Sequence, residues 1–150
     1  MKLAKLVGKN QFFIETFLIT LSVASFALHH QQAILIVFLT LAVFYFLSAY
    51  LPLQIPEDRK VMLIEIFAPK VLSISSSICV IGILFFTMHF SGYQEMLMIG
   101  GLSISITAVL LLICWLKTQQ IGFLFNLVRA VALGGLSWYI FLNYPSPSVP

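Results

Sequence analysis

Two residues of opposite charge stand in this sequence where charge is costly. Arg129 lies about ten residues into one apolar stretch, and Glu15 lies inside another. Insertion scales put a mid-helix arginine at about 2.5–3.5 kcal/mol unfavourable. Each surrounding Leu or Phe returns roughly 0.3–0.6 kcal/mol, so the segment still inserts, but the charge calls for a partner or a water-filled cavity. Glu15 is the natural partner. Gln11, Glu15, Leu18, Ser22, Ser25 and His29 follow one another at four- and three-residue steps, which is one face of a helix. Gly122, Asn126, Ala130, Gly134 and Ser137 make a small, polar face beside Arg129, and small residues let helices approach closely in lipid. The expectation is a Glu15–Arg129 ion pair inside a helical bundle, with Asn126 alongside. Breaking one side of such a pair leaves a buried charge. Left unpaired, Glu15 would exchange protons, which is the chemistry of a proton-coupled carrier.

Other candidates read more plainly. His29, His30 and His89 share one boundary of the apolar segments. Imidazoles bind copper or zinc and sense pH, but neighbouring His29 and His30 point in different directions on a continuing helix. A joint site would also require the first and third helices to be neighbours. They are read as interfacial polar residues, with no metal site and no cofactor expected. Cys79 and Cys114 lie at different depths and read as small packing residues rather than a disulfide. Ser73, Ser76 and Ser77 in one segment, and Gly101, Ser105 and Ala108 in the next, are expected to close a tight hairpin between those two helices, while Gly122 and Gly134 serve the last helix in the same way. The carboxylates Glu57, Asp58 and Glu65 are expected in solvent. No GxSxG, HExxH or phosphate-cradling glycine motif occurs, so no catalytic residue is assigned.

The elements that carry these residues follow from composition. The chain has 150 residues, 61% hydrophobic and 9% charged, against roughly 45–50% and about 25% in soluble domains. So small a sphere has too little interior to hide that much apolar surface, and disorder needs the opposite composition. What remains is a protein solvated by lipid. Crossing about 30 Å of hydrocarbon takes roughly 20 apolar residues. Five segments meet or approach that length: 11–28, 32–53, 70–90, 96–116 and 119–143. All are expected to be helices, because lipid offers the backbone no partners.

The basic residues give an orientation. Lys2, Lys5, Lys9, Arg59, Lys60, Lys70 and Lys117 fall on one side of a five-crossing topology, and the eighth basic residue is Arg129 itself. The positive-inside rule places that side in the cytoplasm, with the N-terminus inside and the C-terminus outside. Tyr93, Trp138, Tyr139 and Tyr144 would line the outer interface, and Tyr50 and Trp115 the inner one. A cleaved signal peptide is the rival reading of the first segment, because 24–27 loosely resembles a cleavage site; Glu15 within the apolar run argues against it. In the cytoplasmic connection 54–69, Pro56, Glu57 and Asp58 read as a helix start and Pro69 as a break. A short interfacial helix is expected there, with a single kinked third helix as its rival.

Two resemblances bear on function. His89-Phe90-Ser91-Gly92 followed by Met96-Leu97-Met98-Ile99-Gly100 resembles the His-Trp-Pro-Gly-Ala hairpin of small membrane proteins of Bacteroidetes-type bacteria, among them the membrane subunit of the gliding-motility and type 9 secretion motor. His89, Gly92, Leu97 and Gly100 match in register, over about 12 residues; Phe90, Ser91 and Tyr93 depart from the pattern. The motor subunit carries acidic residues in the helix after the hairpin, and 96–116 has none. The physical content is a tight turn with Gly92 free to take positive φ. A membrane-embedded glutamate on the first helix is also similar to that of small proton-coupled drug exporters, which the rest of the chain does not resemble.

Together these features predict an all-α, polytopic transmembrane bundle of five helices forming a single integral membrane domain of a bacterial cytoplasmic membrane. The function expected is that of a non-enzymatic subunit or assembly partner of a membrane complex. The alternative is a small proton-coupled transporter or channel using Glu15 and Arg129. The partners expected are the lipid bilayer, other membrane proteins or further copies of the chain. Nucleic acid is not among them, because no basic stripe with aromatics occurs.

Overall fold

The apolar runs become five helices: α1 (Gln11–Ala27), α2 (Gln31–Ser48), α3 (Leu63–Thr87), α4 (Tyr93–Thr118) and α5 (Ile121–Asn143). The structure, a computed structural model, describes residues 10–28, 30–51 and 63–144. The described residues hold no strand. α2 to α5 are each long and apolar enough to cross a membrane. α1 has 17 residues, about 25 Å at 1.5 Å per residue, and is the shortest.

The ends of the helices follow local chemistry. α2 closes five residues earlier than its apolar run. The N–H groups of Ala49, Tyr50 and Leu51 each donate to the carbonyl three residues back, the tightened last turn of a 3₁₀ ending, and Leu51 stands before Pro52, where helical geometry is disfavoured. α3 ends in a Schellman motif. Phe90 N–H donates to the Phe85 carbonyl at 2.8 Å and His89 N–H to the Phe86 carbonyl at 3.2 Å. His89 sits at φ 56°, and the Phe85 and Phe90 rings meet at 5.5 Å, the apolar contact that accompanies this cap. Gly92 follows at φ 86°. The His and Gly of the hairpin pattern are thus the two residues of the turn with left-handed backbone, and histidine is among the few side chains that visit that region often.

Pro69 does not break the chain as the sequence suggested. It lies inside α3, and residues 63–68 are continuous with the rest of that helix. Glu65, Ala68, Leu72, Ser76, Cys79 and Ile83 are all buried along α3. This stripe at three- and four-residue spacing explains why packing overrides one missing N–H. It also removes Glu65 from solvent, where it was expected: it is 8% exposed. Arg59, Lys60, Glu57, Asp58 and the start of the expected interfacial helix lie outside the described residues.

α3, α4 and α5 pack mutually as a three-helix core, α2 lies on α3, and α1 lies on α2. Ala68, Leu72, Cys79, Ile104, Leu111 and Ala130 meet at the centre of the core, and Leu41, Ala42 and Tyr45 of α2 pack on Val80. The α3–α4 approach is set by Gly100, where an added Cβ would lie 2.6 Å from Cys79 Sγ. Gly101 and Ser105, expected against α3, instead meet α5. A Cβ on Gly101 would be 3.2 Å from Ser137 Oγ, and Trp138 Nε1 donates to Ser105 Oγ at 3.1 Å. The indole N–H of Trp138 is therefore held by a neighbouring helix. On α5, Ala130, Gly134 and Ser137 are buried, with Ser137 Oγ donating to the Leu97 carbonyl at 2.8 Å. Gly122 does not pack: no atom lies within 4 Å of its would-be Cβ. It is the second residue of α5, just past the end of α4, so the pattern runs on where there is no neighbour to meet.

Candidate functional site: an ion pair in a lateral cleft

α1 is the peripheral helix. Among the described elements its extensive contact is with α2, and its least exposed positions are Gln11, Ile14, Glu15, Leu18, Ser22 and Ser25. Apart from Ile14, this is the face that the spacing marked. Because α1 follows α2 and α5 follows the core, a cleft of about 680 Å³ opens between α1 and α5, with α2 and α3 as its floor. Phe26, Phe38, Phe86, Leu133 and Tyr139 line it together with Glu15, Tyr45, Asn126 and Arg129. Near the basic end of the bundle, which carries Lys70 and Lys117, the rings of Phe12 and Phe125 meet across it at 5.1 Å.

Above that ring pair the charges meet. Arg129 Nη1 lies 3.3 Å from Glu15 Oε2 and 3.5 Å from Oε1. Tyr45 Oη donates to Glu15 Oε1 at 3.0 Å. Arg129 Nη2 donates to Ser73 Oγ at 3.5 Å, and its guanidinium carbon lies 5.1 Å from the centre of the Tyr45 ring, within cation–π range. The side chains of Arg129 and Glu15 are 7% and 16% exposed. Four helices thus contribute to one polar cluster: Glu15 from α1, Tyr45 from α2, Ser73 from α3 and Arg129 from α5.

The cluster is incompletely bonded. Both contacts to the carboxylate come from one nitrogen and exceed 3.2 Å, whereas charge-assisted pairs usually lie at about 2.7–2.9 Å and use both prongs of the guanidinium fork. Arg129 Nε is buried without a hydrogen-bond partner. Asn126, one turn back on α5, lines the cleft half-buried and makes no hydrogen bond among the described residues. The hydroxyls nearby are already engaged: Thr16 and Ser22 donate to carbonyls of their own helix, of Phe12 and Leu18, the usual habit of such residues in a helix.

The remaining candidates stay apart. His30 is the exposed residue preceding α2, His89 is exposed at the α3–α4 turn, and His29 lies outside the described residues. Among the described residues no three His, Cys, Asp or Glu side chains converge. Cys79 and Cys114 are buried and free. Two contributors are not apparent as such in the sequence: the spacing of Ser73 points to helix packing, and Tyr45 stands in an aromatic-rich run. The available signal for Tyr45 was position, since it follows Leu41 and Ala42 by one turn on the buried face of α2 and its hydroxyl needs a partner there. No family model, curated protein or solved structure matches this chain.

Proposed function

We propose that this chain is a non-enzymatic, five-crossing protein of a bacterial cytoplasmic membrane that moves a hydrophobic solute through the cleft between α1 and α5, coupled to protons by Glu15 and Arg129. One observation carries this reading: the ion pair lines an open cleft and is not sealed in the core. A pair kept for stability alone needs excellent geometry and full hydrogen bonding to offset its desolvation, and here Arg129 Nε has no partner. Intramembrane ionisable residues that face a cavity mark substrate and ion paths. The basic residues support an orientation with N-terminus inside and C-terminus outside, and α1 then crosses as a short span with the bilayer slightly thinned around it. The test is proton-driven flux in liposomes. Glu15→Gln at unchanged protein level should abolish it; loss of protein level alone would leave the pair a structural one.

A second reading has its own observation. α1 touches chiefly α2, and its outward side presents Phe13, Phe17 and Val23 at 64–73% exposure. A subunit or assembly partner would cover that side with another membrane protein or a second copy. Native mass spectrometry of the chain extracted gently from its host membrane tests it: a stable complex with a second protein supports the reading, and a bare monomer contradicts it.

A further inference from the structure

We infer that the cleft takes a single-chain amphiphile with an anionic head, seated on Arg129 and Asn126, and that each anion enters together with one proton that neutralises Glu15. This rests on the transport reading above and adds to it the ligand class and the stoichiometry.

Size and lining give the body of the ligand. The cleft of about 680 Å³ falls within the roughly 300–1,000 Å³ of sites that take one small ligand, a size suited to one alkyl chain and a head. The walls beyond the polar cluster are apolar and aromatic, as in sites that bury a ligand body and fix it by a few polar contacts.

Unsatisfied donors give the head. Arginine carries five N–H donors and no acceptor. Here one nitrogen makes both contacts to Glu15, a second makes one long contact to Ser73, and Nε makes none. Asn126 adds a carboxamide with no partner among the described residues. An unmade bond at such depth costs about 1–3 kcal/mol per group, more when charged. A head with several acceptor oxygens satisfies both residues at once; a cationic head finds donors in its way.

Charge gives the proton. The titratable or charged groups against Glu15 are Tyr45 from α2 and Arg129 from α5. α3 contributes the neutral Ser73 hydroxyl through Arg129, and α1 has no other ionisable side chain. With Glu15 ionised the pair is neutral. An added anion would leave one uncompensated negative charge in a low-dielectric site, which is strongly disfavoured. The anion plus one proton restores neutrality: Glu15 becomes the acid, and Arg129 pairs with the incoming head. Tyr45 remains hydrogen-bonded to the carboxyl, and Arg129 keeps Ser73 and the Tyr45 ring, so neither residue is stranded by the exchange. Linkage then fixes the sign: binding that takes up one proton strengthens as pH falls, by at most about tenfold per unit.

The experiment uses the full chain in nanodiscs of zwitterionic lipid and radiolabelled hexadecyl sulfonate, whose head stays anionic throughout. Affinity should rise from pH 8 to pH 6, by up to about a hundredfold for one proton taken up. Glu15→Gln should bind tightly with no pH dependence. Asn126→Ala should weaken binding at every pH and keep the slope, a check that stands even if an Arg129→Gln variant fails to fold. Wild-type binding without pH dependence would overturn the proton linkage. Equal competition by a two-chain anionic phospholipid would overturn the single-chain assignment. Binding of hexadecyltrimethylammonium in place of the sulfonate would overturn the anion and leave the transport reading standing. If neither amphiphile bound, both would fall.

Discussion

Replacing Gly100 by alanine tests the tightest glycine contact between helices among the described residues. The added Cβ would lie 2.6 Å from Cys79 Sγ, 3.1 Å from its backbone nitrogen and 3.4 Å from its Cα. Carbon contacts are optimal at about 3.5–4.0 Å, so something must move by about 1 Å. Cys79 is fully buried, so its sulfur has no open space to enter. Even with the sulfur gone, the backbone contact at 3.1 Å would remain too tight. α3 and α4 must therefore separate, which opens the contacts of Leu97 and Ile104 as well. Overpacking of this kind costs about 1–3 kcal/mol, offset by up to about 1 kcal/mol from the better helix propensity of alanine. The net expectation is a loss of roughly 1–2 kcal/mol. The control is in the same protein. Gly122 and Gly135 are helical glycines with no atom within 4 Å of a would-be Cβ, so alanine there should stabilise by about 0.5–1 kcal/mol. Cys79→Ala in the Gly100→Ala background should restore part of the loss, because the sulfur contact is removed and the backbone contact stays. Thermal unfolding of the purified variants in detergent micelles reads all four. If Gly100→Ala stabilised the protein as Gly135→Ala is expected to, the α3–α4 packing described above would be wrong.

Four further outcomes follow from the same structure. Glu15→Ala should cost about 3–5 kcal/mol by leaving Arg129 without its counter-charge, and Glu15→Ala with Arg129→Met should recover most of it, since an apolar replacement of a buried pair is usually near neutral; denaturant titration in micelles checks this, and a double variant no more stable than the single would contradict it. Ser137→Ala should lose about 1 kcal/mol with its buried hydrogen bond to Leu97, measured in the same way. His89→Val should cost roughly 1–2 kcal/mol because a β-branched residue resists left-handed backbone, while His89→Gly should be neutral or stabilising; equal melting temperatures for the two would count against the Schellman cap. Tyr45→Phe should leave the fold intact and loosen the hold on Glu15, read as slower proton-coupled flux at equal protein level with little change in thermal stability.

Much of this arrangement is legible in the residues, for physical reasons that differ by element. Lipid permits few alternatives to helices, so segment composition alone gives the elements. On α1 the four- and three-residue steps mark Gln11, Glu15, Leu18, Ser22 and Ser25, all among the least exposed positions of that helix, because one neighbour covers one face. The Glu15–Arg129 approach follows from the cost of each charge alone. Periodicity says nothing about which neighbour a face meets. Gly101 and Ser105 share a face that meets α5, and it is Gly100, one residue away, that meets α3. Nor does periodicity show where a neighbour ends, which is why Gly122 stands in the open. Pro69 reads as a break from local rules, and the buried stripe through Glu65, Ala68 and Leu72 overrides it. The cleft itself is a property of connectivity and long-range packing: it exists because α1 leans on α2 and not on α5, and no local pattern records that choice.

Proton coupling at Glu15 and Arg129 is read from proton movement in proteoliposomes holding a pH-sensitive dye, after hexadecyl sulfonate is added outside under a constant membrane potential. Wild-type protein should carry protons inward with the anion, about one for one, and Glu15→Gln at the same incorporated level should carry none. Equal proton movement by both proteins, or none by the wild type, would contradict the account of Glu15 and Arg129 as a proton-coupled site.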